Sequence, residues 1–229
     1  MQKIGFCDKF SLTQAVLNGT KTMTRRVEKG LETFEFDYEV NFVHSMEIIN
    51  QYWDEEKNSL AIITPQGKMK VPTRYKLGEV VAVAQSYEDI YHHGGPEYGS
   101  YELVNNYRRL HIRPWKDITQ QAGWSNKMFV RPDLMPHQIE ITGVRIERLQ
   151  AISDDDCLKE GVICETFDDG TPLCYKVLGI YDKPKSLLLK EFMTPREAFA
   201  LLINRPGVGR KGLWESNPFV VVYEFKLEK

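Results

Sequence analysis

No stretch of this 229-residue sequence is long and apolar enough to span a bilayer; the longest apolar run, Pro218 to Tyr223, reads as a buried strand. The opening residues Met1-Gln2-Lys3-Ile4-Gly5-Phe6 lack the apolar core of a secretory signal, so no signal peptide is expected there. Cysteine is scarce. The four residues Cys7, Cys157, Cys164 and Cys174 form no CxxC pair and no Cys/His set at zinc spacing, which argues against a structural zinc. They read as reduced, mostly buried thiols of a cytoplasmic protein. His92-His93 is a weak metal signal, because adjacent residues on a strand diverge, and it reads as an exposed loop. Neither a metal nor a cofactor is expected. A formal net charge of −2 gives no global basic field, so any nucleic-acid contact must come from a local patch. Internal repeats, low-complexity tracts and a regular βαβ alternation are also missing, which argues against a doubly wound sheet.

What is present is an ordinary globular composition, 42% hydrophobic and 27% charged. The length suits a single domain spanning 1–229, with insertions at about 31–75, 91–126 and 164–193. Ser11 is placed to cap a helix running to Asn18, and Gly19 to end it in a left-handed conformation. Strands are expected over Thr20–Val27, Tyr38–Ile49, Leu60–Thr64, Met69–Val71, Val80–Ala84, Gln138–Leu149 and Phe219–Leu227, with Pro65-Gln66-Gly67 as a turn. Ser153 and Asp156 stand at capping-box spacing. Thr194-Pro195-Arg196-Glu197 is a second box, with proline at the first position of a helix reaching about Asn204. Arg205 to Lys211 reads as a glycine-bearing mobile loop, and Trp214 as a core anchor. Strands interrupted by three short helices favour an α+β domain built on a partly closed β-barrel.

The stretch Asn18-Gly19-Thr20-Lys21-Thr22-Met23-Thr24-Arg25-Arg26 carries the most chemistry. A lysine and a hydroxyl this close form a potential base–nucleophile pair, and the adjacent arginines can hold an anion. Lys21 and Thr24 are three apart, so strict strand alternation separates them; they converge if Lys21 lies in the turn after Gly19 or if a bulge intervenes. A surface salt-bridge ladder is the plainer reading of the same residues. A second constellation, residues 87–131, interleaves aromatics such as Tyr87, Tyr91 and Trp124 with bases such as Arg108, Lys127 and Arg131. It reads either as a stacking platform for single-stranded RNA or as a lid with its rings buried.

Gly19-x-Lys21-x-x-Thr24-Arg25 resembles the signature of the ASCH domain, a PUA-like β-barrel. The order of the flanking segments is similar too: Phe10-Ser11-Leu12, Tyr75-Lys76-Leu77-Gly78-Glu79, Gln138-Ile139-Glu140-Ile141-Thr142 and Val221-Val222-Tyr223-Glu224-Phe225-Lys226. Leu213-Trp214-Glu215-Ser216-Asn217-Pro218 looks like the longer, phage-associated branch. About half of the chain is covered. The resemblance implies a PUA-like fold with short flanking helices that binds a modified nucleoside or RNA nucleotide. It also implies hydrolysis of an acyl amide such as that of N4-acetylcytidine, with Lys21, Thr24 and Glu140 as the catalytic set. Arg25, Arg26 and Tyr87 are the candidate substrate-binding residues. The alternative is a non-catalytic RNA-binding module. The chain departs from the longer branch after Val80, with Ala84, Gln85 and Tyr87 where arginine, glutamate and tryptophan are frequent.

Overall fold

The computed structural model describes residues 1–29, 31, 47–65, 67–93, 120, 122–178 and 192–228. The chain opens with β1 (Lys3–Ile4), α1 (Leu12–Leu17) and β2 (Met23–Arg26). An antiparallel sheet follows, made of β3 (Asn50–Asp54), β4 (Ser59–Thr64) and β5 (Gly67–Val71). Next come β6 (Val80–Val83), α2 (Tyr87–His93), β7 (Gln138–Arg148), α3 (Asp154–Lys159) and the hairpin of β8 (Ile163–Thr166) and β9 (Pro172–Lys176). Helices α4 (Pro195–Ile203) and α5 (Leu213–Ser216) precede the closing strand β10 (Phe219–Glu228).

The main sheet has the order β1-β6-β7-β10-β2, so β2 is an edge strand. Its centre is the long antiparallel pair β7–β10. Plain alternation fails within β7: Ile139 and Ile141 are buried at odd positions, whereas Ile146 is buried at an even one. A bulge explains the switch. Glu224 opposes Gly143 and Phe225 opposes Ile141, so Thr142 is the extra residue that lets Ile139, Ile141 and Ile146 share one face. The smaller sheet packs Leu60, Ile62 and Val71 into the same core as the main sheet. Gln51 ties the two sheets together. Its side-chain oxygen accepts from the Ile146 N–H at 2.7 Å and its amide donates to the Ile146 carbonyl at 3.1 Å, serving a β7 edge that β6 does not reach.

This architecture is α+β, rich in sheet with few short helices. No closed barrel forms among the described residues. Nor is any of their helices long and apolar enough to cross a membrane.

Local chemistry accounts for the helices. The Thr194 side chain accepts from the Glu197 N–H, Glu197 accepts in return from the Thr194 N–H, and Pro195 fills the first helical position of α4. The box at Ser153 is half made: Ser153 accepts from the Asp156 N–H at 3.1 Å, but the Asp156 carboxylate turns away to Arg25 and Arg145. Ser11 sits in the left-handed region at φ 52° and makes no side-chain cap. Gly19, at φ 77°, ends the α1 segment as expected.

Several strands differ from expectation. β2 is shorter than Thr20–Val27, because residues 20–22 form a turn held by bonds from the Lys21 N–H to the Ala15 carbonyl and from the Thr22 N–H to the Lys159 carbonyl. Most of the strand expected at Tyr38–Ile49, together with Gln66, lies outside the described residues, and β3 begins at Asn50. The insertions expected at 31–75 and 164–193 include β3–β5 and the β8–β9 hairpin, while 94–119 lies outside the described residues.

Candidate functional site

The start of α1, Lys21 in the turn that follows the helix and the edge strand β2 bound a cavity of about 390 Å³. Lys21, Thr24, Arg25 and Arg26 all line it, joined by Phe6, Leu12, Glu28, Arg74, Glu160 and the loop residues Gly207 to Arg210. Lys21 and Thr24 share this wall because Lys21 lies in the turn after Gly19 and not in the strand. Residues of both β2 faces reach the cavity because the strand has no neighbour on that side among the described residues.

Lys21 is buried, at 2% exposure. Its Nζ lies 2.7 Å from each of three acceptors: the Met23 carbonyl, the Glu160 carbonyl and a Glu160 carboxylate oxygen. Three acceptors for three protons describe an ammonium, not a free amine. Burial pulls the Lys21 pKa below that of a free lysine, and the charge and hydrogen bond of Glu160 oppose it.

Arg25 is more deeply held. Its side chain is fully covered and meets three carboxylates: Glu147 at 2.7 Å, Asp156 at 2.7 Å and Glu160 at 3.2 Å. Asp156 and Glu147 are shared with Arg145, which also pairs with Glu224. Burial works to raise the Asp156 carboxyl, but the hydrogen bond and charge of Arg25, with Arg145, carry it below the usual range. Arg25 was a candidate ligand contact, yet its donors are already engaged by this network.

Arg26 differs from its neighbour. It donates to the Gly5 carbonyl at 2.8 Å and lies over the Phe6 ring, while its buried Nε has no partner among the described residues. The Thr24 side chain is nearly covered, and its hydroxyl makes no hydrogen bond among the described residues.

Two other expected residues lie elsewhere. Glu140 points away from Ile139 and Ile141 as the strand period requires, but it is not part of the cavity wall. Its carboxylate pairs with Lys226 on the neighbouring strand at 2.6 Å, a third exposed, and this cation lowers its pKa. Tyr87 is buried with Ala84, Ile90, Leu134 and Met135 in a separate cluster, and its hydroxyl accepts from the Arg131 N–H at 3.0 Å. Tyr91 packs against Trp124 near it, and Lys127 pairs with Asp8. Tyr87, Tyr91, Trp124 and Lys127 are thus engaged with the fold, Met128 and Phe129 are exposed, and the members of the segment between 98 and 116 lie outside the described residues.

The carboxylate that accompanies Lys21 and Thr24 is Glu160. It caps the C-terminal end of α3, where the helix dipole disfavours an acid unless a cation stands by. The following Gly161, at φ 104°, brings the backbone so close that a Cβ would meet Leu12 at 2.9 Å. An acid before a glycine at the end of a capped helix was the available signal for this residue. Cys157 beneath it is no nucleophile, since burial pushes its thiol up to about 12. Trp214 packs edge-on against Phe199. Among the described residues, no group of acids, histidines and cysteines could hold a metal ion.

The wall of one cavity thus holds Thr24, its hydroxyl unbonded among the described residues, and the Arg26 guanidinium, backed by a lysine–glutamate pair. No family model, curated protein or solved structure matches the chain.

Proposed function

We propose that this chain is a PUA-like domain of the ASCH type that takes a modified nucleoside, or a nucleotide of RNA, into the cavity at the β2 edge. One observation carries the reading: the signature residues Lys21, Thr24 and Arg25, with the adjacent Arg26, line a single cavity. Its volume, about 390 Å³, lies within the range of roughly 300–1,000 Å³ common for small-molecule pockets. Phe6 and Leu12 supply apolar wall for a base, and Thr24 supplies a polar contact for its edge or its sugar.

A second reading adds hydrolysis of an acyl amide such as that of N4-acetylcytidine, and the free Thr24 hydroxyl favours it. In this reading the Thr24 oxygen bonds to the acyl carbon, the C–N bond breaks, and the amine leaves with a proton. Water then cleaves the threonine ester to release the acid. Glu160 replaces Glu140 as the carboxylate. The Thr24 proton needs an acceptor, and Lys21 as an ammonium cannot be one. Substrate entry must therefore loosen the Glu160 contacts, or burial must strip the Lys21 proton.

The test combines binding and turnover. Purified protein is titrated with nucleosides and short RNAs and incubated with N4-acetylcytidine while cytidine release is followed. Binding without release supports the module. Release that vanishes in Thr24→Ala and Glu160→Gln but survives in Glu140→Gln supports the enzyme. Absence of both binding and release overturns the proposal.

A further inference from the structure

The cavity wall holds more positive charge than the fold neutralises. Lys21 and Arg25 have their carboxylates in Glu160, Glu147 and Asp156. Arg26, Arg74 and Arg210 line the same cavity, and none of them pairs with a carboxylate among the described residues. Arg26 spends one donor on the Gly5 carbonyl and leaves its buried Nε without a partner among the described residues. Arg74 lies over the Tyr75 ring at 5.5 Å, and its guanidinium makes no hydrogen bond among the described residues. Arg210 is exposed on the rim. Facing these three is one further lining carboxylate, Glu28, which accepts from the Tyr223 hydroxyl at 2.9 Å.

We infer that Arg26, Arg74 and Arg210 form a phosphate subsite, so that the ligand of this cavity is a phosphorylated nucleotide and not a free nucleoside. The inference rests on the nucleotide reading above. Three guanidinium groups against one carboxylate leave a local excess of two positive charges. A phosphomonoester carries about −1.5 to −2 charges near neutral pH and offers three acceptor oxygens. Guanidinium forks match such oxygens in pairs, whereas the neutral sugar and base of a nucleoside would leave the charges uncompensated. The rim is built to hold its arginine close. A Cβ on Gly209 would lie 2.0 Å from the Ile203 carbonyl, and Gly207 adopts φ 91° against the Cys7 thiol. Only glycines let the loop before Arg210 press this tightly on the end of α4 and the cavity wall.

Calorimetric titration of the full chain tests the inference. The ligands are the four common ribonucleosides, their 5′-monophosphates, a short oligoribonucleotide and inorganic phosphate. At least one monophosphate, or the oligonucleotide, should bind about tenfold or more tightly than its nucleoside. Arg26→Ala and Arg210→Ala should each remove most of that advantage. Arg210 is exposed, so its variant should fold even where the Arg26 variant does not. Preference for the monophosphate assigns the phosphate to a free nucleotide; preference for the oligonucleotide assigns it to an RNA strand. Nucleoside and nucleotide binding equally, or an advantage that survives both substitutions, overturns the subsite and leaves the nucleoside reading intact. Arg210-dependent binding of inorganic phosphate without any nucleotide binding supports the subsite and overturns the nucleotide reading. No binding of any ligand overturns both.

Discussion

The Lys21 ammonium meets Glu160 twice, at 2.7 Å from a carboxylate oxygen and at 2.7 Å from the main-chain carbonyl of the same residue. The double contact joins the turn after α1 to the end of α3. It also neutralises an acid at a helix C-terminus, where the dipole would otherwise oppose it. Arg25 reaches the other carboxylate oxygen at 3.2 Å, so one buried acid answers two buried cations.

Removing that acid should be severe. Glu160→Gln strips Lys21 of the one carboxylate it meets among the described residues and Arg25 of one of three, in a site that water hardly reaches, and should cost about 3–5 kcal/mol in urea denaturation. Glu140→Gln removes a solvent-facing pair with Lys226 and should leave the unfolding midpoint in place. Equal effects of the two would contradict the roles assigned here.

Asp156 should make stability depend on acid pH. Its pKa is lowered in the folded chain by Arg25 and Arg145 against the effect of burial. The folded state therefore holds the Asp156 proton more weakly than the unfolded state. The stability it contributes is fully present above the unfolded value of about 3.9 and is lost as pH falls through the lower folded value. The gap in unfolding midpoint between the native chain and Asp156→Asn should be widest near neutrality and narrow below about pH 4. A gap that stays constant would rule this linkage out.

Gln51→Leu should loosen the join between the two sheets. It leaves the Ile146 N–H and carbonyl without partners on that edge, for a loss of about 1–3 kcal/mol. Hydrogen exchange at the Ile146 amide reports it directly, and unchanged protection there would refute the bridging role.

Gly209→Ala should disturb the rim. The new Cβ would sit 2.0 Å from the Ile203 carbonyl, a backbone atom that cannot step aside, at a cost of about 1–3 kcal/mol. Gly5→Ala meets nothing within 4 Å and should be nearly neutral. Thermal unfolding of the two variants side by side distinguishes the cases.

Much of the frame was legible in the residues. Thr194, Pro195 and Glu197 announced α4, and the apolar runs announced β7, β10 and β4, because caps and burial act locally. By sequence Lys21 falls within a strand from Thr20, with a turn after Gly19 as one of two ways to bring it to Thr24; the strand begins only at Met23. The β8–β9 hairpin escaped notice although Asp169-Gly170 marks its turn, with Gly170 at φ 83° and Asp169 accepting from the Thr171 N–H at 2.9 Å. Its strands mix Ile163, Glu165, Leu173 and Lys176 without clean alternation, so periodicity gave no lead. β3 is likewise polar, and α2 begins with Tyr87, Glu88 and Asp89, too short for a helical period to emerge. Glu140 lies away from the cavity for a different reason. Strand alternation put Glu140 opposite its apolar neighbours, but which outward face borders a cavity depends on α3, far along the chain.

The bulge at Thr142 decides which change of length β7 can absorb. Thr142 alone stands without a partner between Gly143 and Ile141, whose partners Glu224 and Phe225 are consecutive. Deleting it would give an unbroken two-residue rhythm that still keeps Ile139, Ile141 and Ile146 on the core side. What the strand would forfeit is the bend and added twist that an extra residue imparts, so such a deletion would change the curvature of the β7–β10 pair and spare its buried face.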